Sequence, residues 1–132
     1  MVDVLFWQTT GYRDSIQTSL SVARSLKSME IDAGILFDKA ALVALTKGEF
    51  EMSPELENHA TTIDANLKKI GLPTSIKDYL EAARAAGVHL YACSGWCDFL
   101  GIKGSLPLYL EEKGLQDSVK LIAEAKKVIV SP

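Results

Sequence analysis

Apolar residues along this chain fall into short unbroken runs separated by stretches with helical spacing, and that alternation is its main structural signal. Val2-Asp3-Val4-Leu5-Phe6-Trp7 has the length of a strand and is rich in β-branched and aromatic side chains, and Gln8-Thr9-Thr10-Gly11 ends it as a turn. A helix is expected next. Asp14 or Ser15 offers a side-chain oxygen to cap it, and Ile16, Leu20, Ala23 and Met29, with Val22 and Leu26 beside them, form a wide apolar face. Ile31 to Phe37 reads as a second strand, and a strand-helix-strand unit requires parallel pairing through a right-handed crossover.

Beyond Asp38 the run Lys39 to Thr46 suits a short helix stopped by Gly48. Ser53-Pro54-Glu55 then has the form of a helix start, with a capping hydroxyl, proline in the first turn and an acid beside it. Leu56, Ala60, Ile63, Leu67 and Ile70 recur at spacings of four and three, so an amphipathic helix with one narrow apolar seam is predicted over 53–71. Ser75 with Asp78 resembles a capping box, and Tyr79, Leu80, Ala83 and Ala86 give the following helix its buried side. After the stretch around Cys93, a short helix is predicted for Pro107 to Glu112. Asp117 or Ser118 is expected to cap another helix through Ala125, with Val128-Ile129-Val130 as a last strand. This alternation predicts one α/β domain spanning residues 1–132, a three-layer αβα fold with a mainly parallel sheet of about four or five strands. The 53–71 helix is read as an insertion in it.

Composition narrows the function. The chain is 48% apolar with a formal charge of −3, and its lysines and arginines are scattered, so nothing global favours nucleic acid or an anionic membrane as a partner. No apolar run reaches the roughly 18 residues of a membrane span, and Met1-Val2-Asp3-Val4 lacks the features of a secretory leader. A cytoplasmic chain is expected. In that compartment two cysteines point to reduced, redox-active or metal-binding thiols rather than a structural disulfide.

The chemistry concentrates between Val88 and Gly101, where a short buried strand runs into a tight turn and a helix, with Cys93 at the junction. Carboxyl ends of parallel strands are where ligands collect, and a thiol at the start of a helix is favoured as thiolate by unpaired backbone N–H groups. Ser94 and Gly95 are expected to supply two of those groups, Gly95 also to admit a substrate close to the backbone, and Trp96 to form an apolar wall. The alternative for Cys93 is a small buried hydrophobe. Cys97 follows at i+4, where Cβ atoms on a helix stand about 5–6 Å apart, beyond the roughly 3.5–4.5 Å of a disulfide. It is read either as a core thiol or as a resolving or relay thiol. Cys93, Cys97 and His89 are three conceivable ligands of a soft metal, but His89 should point away from the turn, so no metal site is assigned. His59 and His89 read as surface or satisfied core residues. Thr9-Thr10-Gly11-Tyr12 matches neither the dinucleotide fingerprint nor the P-loop, and is expected to border the Cys93 pocket from the neighbouring strand end. Asp38 and Asp98 are placed near the same mouth, without a readable catalytic pair.

At this point the sequence resembles the DsrE/DsrF-like family of small sulfur-handling proteins. The resemblance rests on the first strand ending in Thr9-Thr10-Gly11, Leu36-Phe37 leading to Leu42 and Lys47-Gly48, the helix Ile76 to Ala86 with Gly87-Val88, and Leu90-Tyr91-Ala92-Cys93 with Gly101-Ile102 behind it. Leu121 to Val130 fits the family's closing helix and strand. The resemblance implies a sulfur carrier or sulfurtransferase that holds sulfane sulfur as a persulfide on Cys93; the residues themselves place Thr9, Thr10, Ser94, Gly95 and Trp96 around that site, and Cys97 stays open between a bystander and a second sulfur-handling thiol. The resemblance also implies protein sulfur donors and acceptors, a homo-oligomer (trimer or hexamer) and no cofactor. Two departures stand out: Gly95-Trp96-Cys97 where relatives carry small residues or Met, and the inserted 53–71 segment. A different class of function on the same fold is a non-catalytic assembly or small-ligand-binding subunit.

Overall fold

The computed structural model describes residues 2–132. In chain order the elements are β1 (Val4–Gln8), α1 (Arg13–Ser28), β2 (Ala33–Phe37), α2 (Ala40–Lys47), α3 (Ala60–Lys69), α4 (Ile76–Ala85), β3 (His89–Cys93), α5 (Ser94–Leu100), β4 (Glu111–Lys113), α6 (Leu115–Glu124) and β5 (Lys127–Val130). The five strands form one sheet in the order β4-β3-β2-β1-β5, and every pairing is parallel. The chain steps from β1 to β4 in one direction, and α6 then carries it back to pair β5 with β1. Because crossovers keep one hand, this reversal places α6 on the opposite face from the helices before it.

The period of two along the strands separates two apolar cores. Phe6, Ile35, Phe37, Leu90 and Ala92 point to one face and pack with Ile16 and Leu20 of α1, Leu42 and Leu45 of α2, Leu80 of α4 and Cys97 of α5. Leu5, Leu36, Tyr91 and Cys93 point to the other and pack with Trp7, Leu121, Ile122 and Ala125. All of β2 is buried, as expected for the middle strand of a sheet covered on both sides. Gly34 lies under the Tyr91 ring, where an added Cβ would come within 3.1 Å of it.

The helix ends depart from the local sequence signals in instructive ways. α1 begins at Arg13 and has no side-chain cap. Asp14 instead accepts hydrogen bonds from the Ser53 backbone N–H at 2.8 Å and the Ser53 hydroxyl at 2.9 Å. Ser53 caps no helix, and the helical turns that follow begin only at Glu57 and Ala60. The continuous helix predicted over 53–71 reduces to a 3₁₀ turn at Glu57–His59 and α3 over Ala60–Lys69. No α3 residue is buried, Leu56, Ile63 and Leu67 are only half-covered, and Ile70 is 71% exposed. The short helix predicted at 107–112 is absent as well: a 3₁₀ turn occupies Lys103–Ser105, and Glu111–Lys113 adds an edge strand beside Tyr91–Cys93. α6 is capped by neither Asp117 nor Ser118, since Gly114 holds the capping position and the Ser118 hydroxyl turns back to the Lys113 carbonyl at 3.2 Å. Two signals hold as written. The Ser75 hydroxyl accepts the Asp78 N–H at 3.3 Å, and Gly48 ends α2 with φ +70°.

Candidate functional site at the end of β3

Cys93 is the last residue of β3 and occupies the N-cap position of α5. Ser94 and Gly95 open the helix, and Trp96, the next residue, packs against the cluster that contains Cys93. α5 has seven residues, which makes its dipole a weaker support for a thiolate than a full-length helix supplies. Cys93 is 8% exposed. Space beside Gly95 is open, with no atom within 4 Å of where its Cβ would lie. Trp96 is half-buried between the two cores, edge-on to the exposed Phe99 ring at 5.4 Å. The Lys39 ammonium stands 5.9 Å over the Trp96 ring.

Sheet register sets the neighbours of the thiol. Cys93 is paired with Lys113 of β4, whose ammonium lies 5.3 Å over the Tyr91 ring and 3.0 Å from Glu111 Oε1. On the other side Ala92 is paired with Phe37, so Asp38 comes next to Cys93 along the same edge. Asp38 is buried, and its Oδ2 accepts a hydrogen bond from the Trp7 indole N–H at 3.0 Å. Lys113 and the Trp7–Asp38 pair escaped the sequence reading, which had only placed Asp38 near the mouth. The signal available was the register itself, since two residues past Leu36 and two past Tyr91 share a row.

Cys97 sits elsewhere. It has no exposed surface, belongs to the first core, and remains a free thiol like Cys93. Burial, then the Glu112 charge, Cys93 and Asp98, push its thiol from 9.0 up to about 11, against a small opposing effect of Lys103. A neutral, sealed thiol is a poor nucleophile. Thr9 and Thr10 follow β1, which β2 separates from β3 in the sheet. The Thr9 N–H donates to Ser131 Oγ at 2.9 Å, and both threonines line a cavity of about 600 Å³ with Gly11, Tyr12, Ala40 and Lys47. A second cavity of about 530 Å³ lies between Arg13, Phe50, Ile76 and Tyr109. Cys93 lines neither. His89 pairs with Asp32 at 3.3 Å and stacks on Tyr91, while His59 is exposed in the 3₁₀ turn. Among the described residues no group of three His, Cys, Asp or Glu side chains is placed to hold a metal ion.

Neither a protein-family model nor a curated protein matches the sequence. Solved structures do match in shape. The YchN protein from E. coli superposes with a TM-score of 0.64 at 22% identity, over 98% of this chain and 99% of that one. A conserved protein of unknown function from Bacteroides thetaiotaomicron, BT1422, does so with a TM-score of 0.58 at 13% identity, over 97% and 94%. The fold is DsrE/DsrF-like. Within this DsrE/DsrF-like sheet, Cys93 stands at the carboxyl edge, at the end of an interior strand.

Proposed function

We propose that the protein is a sulfur carrier, or sulfurtransferase, that accepts sulfane sulfur on Cys93 and passes it to an acceptor. The observation that carries this reading is the position of Cys93: a reduced thiol at a strand end, beside open space at Gly95 and flanked in register by Lys113. The step balances without an oxidant. Cys93 loses its proton, its sulfur attacks the terminal sulfur of a persulfide R–S–SH, the donor S–S bond breaks as the new one forms, and R–S⁻ leaves and is protonated. Release repeats the exchange toward the acceptor's thiol. No cofactor takes part.

The donor and acceptor are proteins or small thiols of the cytoplasm, and the chain works as a homo-oligomer of three or six copies. Exposed Phe99, Leu108, Leu115 and Val119 support association. Native mass spectrometry that finds only a species of 14.4 kDa removes the oligomer. For the chemistry, the protein is mixed with a small persulfide and weighed intact. A gain of one sulfur atom that Cys93→Ser abolishes and Cys97→Ser retains is the expected result. A gain that survives Cys93→Ser sinks the reading.

The cavities of about 600 and 530 Å³ favour a second reading, a non-catalytic subunit that binds a small ligand away from Cys93. Failure of Cys93 to take up sulfur, together with ligand-induced thermal stabilisation, would select it.

A further inference from the structure

Asp38 has one feature that neither the fold nor sulfur exchange accounts for. Its residue is 4% exposed, and only one carboxylate oxygen is used. Oδ2 accepts from the Trp7 indole at 3.0 Å, whereas Oδ1, itself sealed from solvent, has no hydrogen-bond partner. A buried carboxylate oxygen is costly to leave unpaired, and a donor supplied by a ligand would remove that cost. The adjacent ammonium does not fill the gap, because Lys39 holds its Nζ over the Trp96 ring at 5.9 Å. The position is specific: Phe37 pairs with Ala92, so Asp38 and Cys93 occupy the next step of the β2–β3 register. Asp38 reaches Trp7, and Cys93 packs in the core that Trp7 joins, so both side chains lie on one face.

We propose that Asp38 Oδ1 receives a protonated amine on the molecule that delivers sulfur to Cys93. The preferred donor is then a small aminothiol persulfide, with its ammonium within a few bonds of its sulfur. An ammonium is a compact charge with three donors and forms a charge-assisted hydrogen bond to carboxylate. Lys39, whose ammonium lies over the Trp96 ring and has no carboxylate partner among the ion pairs of the described residues, offers the opposite charge to a carboxylate on that molecule. Trp96, half-buried and packed in the cluster that contains Cys93, would have to move aside to admit it. The choice of donor rests on Cys93 being the sulfur acceptor; the amine site does not.

The test labels Cys93 with three methanethiosulfonates bearing aminoethyl, methyl or sulfonatoethyl groups, located by peptide mass. Each forms Cys93–S–S–R and expels methanesulfinate, the thiol proton going to buffer, so no sulfur transfer is required. The aminoethyl-to-methyl rate ratio should be about tenfold higher in wild type than in Asp38→Asn at fixed ionic strength. Equal ratios in the two proteins overturn the amine site. If Asp38→Asn does not fold, wild type decides alone: aminoethyl reacting no faster than methyl overturns it. Loading from cysteine persulfide against N-acetylcysteine persulfide then reads the donor class, with the amine form expected to be faster. A charge-dependent thiosulfonate ratio with no loading from either persulfide discards the sulfur-carrier reading and leaves the amine site standing.

Discussion

Cys93 and Cys97 are four residues apart in sequence, yet their side chains belong to two different apolar cores, one on each side of the sheet. Cys93 ends β3 and takes the face its strand assigns it, while Cys97 lies a helical turn later and is directed by α5 into the opposite core. At neutral pH iodoacetamide should modify Cys93 and leave Cys97 untouched in the folded protein, as peptide mapping will show. The sign of the pH effect follows from the raised Cys97 thiol. Its folded value of about 11 exceeds its ordinary 9.0, so its contribution to stability is complete below about pH 9 and is lost as the pH rises toward and through about 11. Cys97→Ala should remove that loss from urea melts taken across this range.

Trp96 joins the apolar cluster that contains Cys93. Trp96→Ala is expected to raise the alkylation rate of Cys93 severalfold. Its cost to stability should be modest, about 1–2 kcal/mol for a half-buried ring whose neighbour Phe99 is already exposed. An unchanged alkylation rate would show that Trp96 does not shield the thiol.

Gly11 turns the end of β1 tightly against α2. A Cβ there would stand 2.8 Å from the Ala40 carbonyl oxygen and 3.0 Å from the Ala44 methyl, and backbone cannot yield as a flexible side chain does. Gly11→Ala should therefore destabilise the protein by about 1–3 kcal/mol, read as a lower urea midpoint with an unchanged m-value.

The α3 segment is held to the domain by an ion pair between Arg13 and Asp64 and by the Ser53–Asp14 hydrogen bonds. The Arg13 hydrogen bond outweighs the opposing effect of burial and, with the Arg13 and Lys68 charges, keeps the Asp64 carboxyl below its ordinary 3.8. This contribution is present above that value and fades as the pH falls through the lowered one. Asp64→Asn should speed amide exchange across 60–69 at neutral pH and change global stability by less than about 1 kcal/mol, because the pair is partly exposed. Exchange that rises equally in β1 to β3 would contradict a local tether.

The periodicity of the chain sufficed for β1, β2, β3 and β5 with the helices between them, for the Ser75 cap, for the Gly48 stop and for the junction at which Cys93 stands. These rest on contacts within a turn or two, where side-chain spacing, capping hydroxyls and backbone freedom act directly. The tertiary fold alone decided what long-range pairing decides. Glu111–Lys113 carries no apolar run and becomes a strand because β3 presents an unpaired edge to it. Ser53 bonds Asp14, 39 residues away, instead of starting a helix, and Asp38 meets Trp7 across 31. The two thiols part company because the sheet separates its faces, and a barrier of that kind exists only once the strands have assembled.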